Sequence, residues 1–142
     1  MAALEEDIRN SAENVTDAFE RRYSFKPDYS EESLKLIDDL IEEASDFVPD
    51  MPQETIRNII QNFGCYILEV GRREFGGTYR WYEERDQPVL VVGEPEFHVA
   101  MMTWDKVRGR LNGDKADNIP FFYAGFAKRA REAEPGSHTV YV

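Results

Sequence analysis

A single cysteine, Cys65, leaves this chain of 142 residues without any intramolecular disulfide, which points to a reducing compartment. Histidine is almost as scarce. His98 and His138 are the only two, and neither has Cys or Asp around it at ligand spacing, so no tetrahedral metal centre is predicted. Long apolar runs are missing as well: the longest, Pro88–Gly93, falls far short of the ~20 residues that cross a bilayer. The segment Met1–Asp7 has neither the basic n-region nor the apolar h-region of a secretion signal. Together these absences predict a soluble, cytoplasmic protein with no membrane partner. Glycine-rich phosphate loops are absent too. Gly76, Gly77, Gly109 and Gly113 form neither a Walker A loop nor a dinucleotide fingerprint, so no nucleotide or other cofactor is expected.

Basic charge is in short supply, and unevenly so. The net charge is −11, but residues 1–50 hold fifteen acids against five bases, whereas residues 51–142 hold thirteen against twelve. Between Asp105 and Arg131 the balance reverses, with three acids and seven bases. Such segregation gives the molecule a directional field that attracts basic proteins to the acidic side and repels nucleic acid and anionic lipid from it. Direct nucleic-acid binding, which depends on basic residues releasing counterions, is not expected.

What the chain does have is a large apolar complement, including nine Phe, seven Tyr and two Trp, enough for one domain over residues 1–142 with a substantial core. Leu4, Ile8, Ala12, Val15 and Phe19 recur at helical spacing and predict a first amphipathic helix over about 4–22. The link Tyr23–Asp28 that follows contains Pro27, which disfavours helix at Lys26. Ser30 is a suitable N-cap for a second helix over 31–47, with Leu34, Ile37, Ile41, Ala44 and Val48 on one stripe. Asp38, Asp39, Glu42, Glu43 and Asp46 are assigned to its outer face. A third helix over 53–75 is apolar nearly all round and is expected to run through the middle of the fold. Gly64 and Gly71 lie two turns apart on it. Each costs roughly 1 kcal/mol of helix propensity, which a close-packed neighbour would offset.

From Thr78 onward the texture becomes aromatic and β-branched. Strands are predicted near 78–84, 88–93 and 97–102, the first two joined by a turn at Glu84–Gln87. Short helices follow near 104–112 and 119–133, capped by Thr103 and Asn118, with His138–Val142 available as a further edge strand. The expected architecture is α+β: an N-terminal three-helix half packed on a small antiparallel β-meander, with two further C-terminal helices.

Several stretches share a pattern with known proteins. Asp28–Leu34 is an extended entry capped into a helix. The next long helix carries Gly64, Tyr66, Glu69, Arg72, Arg73, Gly76, Gly77 and, beyond it, Trp81. Trp104-Asp105-Lys106-Val107, Leu111, Gly113 and Phe122-Tyr123 follow. From residue 28 onward the chain thus resembles a family of small bacterial α+β domains to which no enzymatic activity is assigned, some of which sit beside toxin genes as immunity proteins. The resemblance implies an α+β fold and, by extension, a binding role. It does not cover the first helix.

Four candidate sites stand out. Glu69 is a carboxylate in an otherwise apolar helix, with Arg73 four residues on and Arg72 three. A desolvated acid–base catalyst and a structural ion pair with Arg73 are the two readings, and the pair is preferred because no second catalytic group accompanies it. Tyr79, Trp81 and Tyr82 suit either a stacking platform or the core, and alternation favours the core. Cys65 is read as a packed thiol. The acidic face of the second helix is the remaining candidate, since Lys35 is the only base between Ser30 and Asp50. Asp38/Glu42 and Asp39/Glu43 repel across one turn by a few tenths of a kcal/mol. Both a solvated surface and a recognition surface fit that pattern. The function expected first is a non-enzymatic immunity or inhibitor protein that captures a basic toxin or effector through Asp38, Asp39, Glu42, Glu43 and Asp46. A regulatory module or an acidic decoy that mimics DNA comes second, and an enzyme using Glu69 third.

Overall fold

The central helix organises the molecule. In the computed structural model, which describes residues 2–24 and 26–142, α3 spans Gln53–Phe75, and nine of its residues, among them every residue from Gly64 to Gly71, are buried. Helix α1, Ala2–Tyr23, lies along it and buries Ile8, Ala12, Val15 and Phe19, the stripe read from the sequence. Helix α2, Ser33–Ser45, buries Leu34, Ile37 and Ile41 completely. It starts two residues later than expected. Ser30 still caps the entry, its Oγ accepting the Ser33 amide at 3.2 Å, but the intervening turn is tighter than α-helical, with bonds spanning three residues.

The chain leaves α3 at Gly76 and Gly77, both at positive φ (74° and 100°). A Cβ on Gly77 would lie 2.4 Å from the Val91 carbonyl oxygen, so the reversal into the sheet admits no side chain there. Strands β1 (Thr78–Tyr82), β2 (Gln87–Val92) and β3 (His98–Met101) form the expected antiparallel meander. The chain then makes α4 (Trp104–Leu111) and α5 (Ile119–Glu132), and β4 (His138–Tyr141) joins the edge of β3 in parallel, giving the order β1-β2-β3-β4. The sheet is therefore mixed. Placing β4 parallel to β3 requires a long crossover, and α4 with α5 supplies it. Tyr79, Leu90, Val92, Val99 and Met101 face the main core with α3 and α5, while Val89, Val91, Ala100 and Met102 form a second, smaller cluster on the other face.

Capping at the C-terminal helices is half as expected. Asn118 accepts the Phe121 amide at 2.9 Å and starts α5. Thr103 instead donates its hydroxyl to the Gly64 carbonyl at 2.6 Å, and the Trp104 amide at the start of α4 is satisfied by Gln87 Oε1 at 3.0 Å. Helix α4 is thus pinned both to α3 and to β2 at its first turn.

Both α3 glycines are sites of close approach, as their cost had suggested, but they differ in degree. A Cβ at Gly71 would meet the terminal methyls of Leu90 and Met101 at 3.0 Å, which can give by a few tenths of an ångström. A Cβ at Gly64 would lie 2.4 Å from Cδ1 of the Trp104 ring, whose backbone the contacts just described pin in place. Gly64→Ala is accordingly expected to destabilise by about 1–3 kcal/mol in chemical denaturation, despite alanine's better helix propensity. Gly71→Ala should cost less, and an unchanged or raised midpoint for Gly64→Ala would show that α4 yields freely.

Candidate functional site

Arg110 reorganises the acidic face of α2. Helix α4 packs across α2, and its Arg110 Nε and Nη2 reach the two oxygens of Asp38, each at 2.9 Å, while Nη2 also donates to Glu42 Oε2 at 2.9 Å. The Ile119 amide at the start of α5 completes the shell of Asp38 at 3.0 Å. Asp38 is only 4% exposed, so its assignment to the outer face is corrected. It follows Ile37 and precedes Ile41 on the inward side, and it fastens α2 to α4 and α5. Burial alone would raise the Asp38 carboxyl, but the hydrogen bonds from Arg110 and Ile119 and the guanidinium's charge outweigh it and hold the carboxyl below its ordinary value. Arg110 is shifted upward by the same pair, with its bonds to Asp38 the leading cause.

This pairing also decides a question of chemistry. The ligand atoms of Asp38, Asp39 and Glu42 approach within 4.8 Å of one another, a spacing that could suit a cation. However, both Asp38 oxygens and one Glu42 oxygen are already taken by a guanidinium and a backbone amide. A cation would have to displace Arg110 from a buried bidentate pair, so the cluster fits a structural role and not a metal centre.

Four of the five acids remain exposed, and three of them are free of Arg110. Asp39, Glu43 and Asp46 are exposed, and with Glu42, Ser45, Arg110, Gly113 and Lys115 they line a cleft of about 500 Å³ between α2 and the end of α4. Glu43 meets Arg22 at 3.1 Å in an exposed pair, worth little. At the other end of α2, Glu31 lies 3.5 Å from Arg131. The segregated charge is thus partly cancelled within the chain by Arg22, Arg110 and Arg131, and on α2 Asp39 and the C-cap residue Asp46 keep charge that no base pairs among the described residues, on either side of the last turn. That turn has no basic residue. Acids there oppose the helix dipole, at roughly 0.3–1 kcal/mol each.

Two aromatic side chains at the ends of α2 and α5 are exposed. Phe47, just past the end of α2, is 59% exposed, and Phe121, in the first turn of α5, is 80% exposed. Pro120 lines a shallow cleft with Glu31, Glu32 and Lys35, which sets the start of α5 against the start of α2. Neither aromatic was singled out from the sequence. Phe121 shares α5 with Phe122 and Phe126, and only the rotation of the helix separates it from those two buried side chains.

The Glu69 neighbourhood is closed. Glu69 is 2% exposed, accepts a hydrogen bond from the Tyr79 hydroxyl at 2.7 Å, and lies 3.8 Å from Arg73 Nε. Arg72 turns away to Glu5 at 2.7 Å. The Arg73 guanidinium stacks on Tyr29, 3.6 Å from the ring centroid, and Tyr29 stacks in turn on Tyr66. Tyr66 shares a 2.7 Å hydrogen bond with Ser33 and accepts the amide of Tyr29, which stands at φ 61°. The network ties α3 to β1 and to the entry of α2. Burial and the Glu69 charge push the Tyr79 hydroxyl far above its ordinary range, so it remains a donor. Cys65, 2% exposed, is pushed up to about 12, mainly by burial, which makes it a poor nucleophile. Of the three aromatics on β1, Tyr79 is core, Tyr82 is half-buried, and Trp81 is 45% exposed, its ring edge-on to Trp104.

Comparisons of the chain with models of protein families, with curated proteins and with solved structures return no match. No helix among the described residues is long and apolar enough to cross a membrane.

Proposed function

We propose that this protein is a non-enzymatic binding protein of the immunity or inhibitor kind, which captures a basic protein partner on the exposed surface of α2. Asp39, Glu43 and Asp46 supply the field, Glu42 contributes from its place beside Arg110, and Phe47 and Phe121 anchor the two ends. The observation that carries this reading is the last turn of α2. Exposed acids stand there against the helix dipole without a base in the turn, directly before an exposed phenylalanine. An arrangement unfavourable to the free protein is what a surface kept for an oppositely charged partner would show. Aromatic side chains at such a surface supply most of the affinity, while the charges around them set encounter rate and orientation.

Affinity capture from the native host, with the chain as bait, identifies the partner. A toxin reading frame adjacent to this one would name it at less cost. Binding of the purified partner to wild type, Phe47→Ala and Phe121→Ala then tests the anchors. Each variant is expected to bind at least about 30-fold more weakly, equivalent to about 2 kcal/mol. Stability should change by no more than about 0.5 kcal/mol, because both side chains are exposed. Unchanged affinity in both variants would move the binding surface elsewhere.

A further inference from the structure

We infer that the free edge of β4 pairs with the same edge of a second copy of this chain, forming a two-fold dimer in which the two four-stranded sheets become one. The Ser137 and Tyr141 carbonyls accept from the His98 and Met102 amides, each at 2.8 Å. In a parallel ladder the backbone groups of successive residues point to opposite sides. The amides and carbonyls of His138 and Val140 therefore point away from β3, where the sheet has no further strand. Native edges are normally blunted by charge, proline or a bulge. Strand β4, His-Thr-Val-Tyr in unbroken register with β3, has none of these. The opposite edge is guarded: β1 carries Arg80 and has α1 beside it.

An antiparallel pairing about a two-fold axis at Val140 sets that residue against its own counterpart and His138 against Val142 of the second copy. These are the hydrogen-bonded positions of such a ladder, where two residues exchange both of their backbone bonds. On the outer face the pairing covers Val140 and Val142, which are 45% and 36% exposed in the single chain. On the core face it sets Tyr141 beside Thr139 of the second copy.

The groove beside this edge favours a second copy over a foreign strand. It holds about 480 Å³ between β4 and α5, and Lys128, Arg129, Glu132 and Glu134 line it with Gly125 and Tyr141. None of these four charges has a side-chain partner among the described residues. The bases precede the acids along α5. The two-fold axis brings the second α5 alongside in the reverse direction, so the bases of each copy meet the acids of the other. An acidic or a basic peptide would meet like charges in the same groove. Elsewhere the net charge of −11 makes two copies repel. At this flank, uncharged along β4 and balanced along α5, contact is tolerated. None of these residues belongs to the α2 surface, so dimer formation and capture of a basic partner are separable.

Sedimentation equilibrium of the full chain from about 1 μM to about 1 mM tests this. A reversible monomer–dimer equilibrium is expected, with dimer prevailing above about 100 μM, as suits a small interface. Val140→Pro removes an amide that faces away from β3 and so costs no bond within the sheet, and Val140→Lys sets like charges together at the axis. Each should weaken the dimer at least about tenfold, with circular dichroism confirming the fold. Thr78→Lys, on the other edge, should leave it unchanged. Lys128→Glu with Arg129→Glu, and separately Glu132→Lys with Glu134→Lys, should each give a monomer alone and a heterodimer when the two proteins are mixed. The His138 and Val140 amides should exchange hydrogen at least about tenfold more slowly at dimer concentrations than in the monomer. A monomer throughout the concentration range would overturn the inference and leave the edge to a foreign strand. A dimer that survives both Val140 substitutions would overturn it as well.

Discussion

Arg110→Met is expected to destabilise the protein by about 3–5 kcal/mol, the range for breaking a buried ion pair from one side. Asp38 and Arg110 are each nearly sealed from solvent, with side chains 6% and 7% exposed. Without the guanidinium, Asp38 keeps only the Ile119 amide and must carry a charge in the interior or take up a proton. Its response to pH should therefore change sign. In wild type the folded-state value is lowered. The pair thus contributes its full stability above the ordinary carboxylate value of about 3.9 and loses it as pH falls through the folded-state value. In the variant burial dominates and the value is raised. Any stability linked to Asp38 is then complete below the ordinary value and is lost as pH rises through the raised one. The gap in unfolding free energy between wild type and Arg110→Met should accordingly be small near pH 3 and grow toward pH 7. Taking the difference between the two proteins cancels the other carboxylates to first order. Adding Asp38→Asn should restore much of the loss, because an amide oxygen can still accept from Ile119 while no charge remains buried. Glu42, 53% exposed, then simply returns to solvent. A gap independent of pH, or a double variant no better than the single, would show that Arg110 acts through packing alone.

How far the sequence reveals this architecture depends on what each element needs from the rest of the fold. Helices α1 and α3 were readable almost to the residue because their stripes are long and end at local signals, Pro52 before α3 and Gly76 after it. The meander was readable for the same reason, through β-branched runs separated by turn residues. The edge strand at His138–Val142 was readable too, but its parallel pairing with β3 was not, because a four-residue strand with the burial pattern exposed, intermediate, exposed, intermediate carries no local signature of its neighbour. The site divides along the same line. Glu69 and Arg73 lie one turn apart on one helix, so their pairing could be anticipated from spacing. Asp38 and Arg110 are 72 residues apart. The sequence placed Asp38 with its acidic neighbours, although its position beside Ile37 and one turn before Ile41 was equally consistent with the buried stripe. Only the arrival of a base from α4 makes that burial tolerable. The same holds for His98 and His138, which only strand register sets opposite each other. Thr103 is the reverse case: a residue type well suited to capping is drawn to the Gly64 carbonyl because the missing side chain brings the two backbones together.

The largest effect on binding is expected from reversing Asp39, Glu43 and Asp46 to lysine. These three differ from Asp38 and Glu42 in being free of Arg110, so their replacement leaves the α2–α4 joint intact. Glu43 gives up only an exposed pair with Arg22, both side chains being more than half exposed, a loss of at most about 1 kcal/mol. The change also removes the Asp39/Glu43 repulsion and places positive charge at the end of α2 where the dipole favours it. Folding should survive, and the unfolding midpoint should hold or rise. Association with a basic partner should nevertheless slow by about 10–10³-fold at low ionic strength, the range over which steering by opposed fields accelerates encounter. Because exposed charges more than about 10 Å apart are screened at 0.1 M salt, the difference between wild type and variant should shrink as salt is raised. Dissociation should change less, since the aromatic contacts of Phe47 and Phe121 are retained. Stopped-flow or surface-based kinetics at two salt concentrations give the answer directly. Equal association rates at low salt would mean that the acids of α2 are merely solvated. The dipolar mismatch in its last turn would then have no functional meaning, and exposed Trp81 beside Trp104 would become the surface to test next.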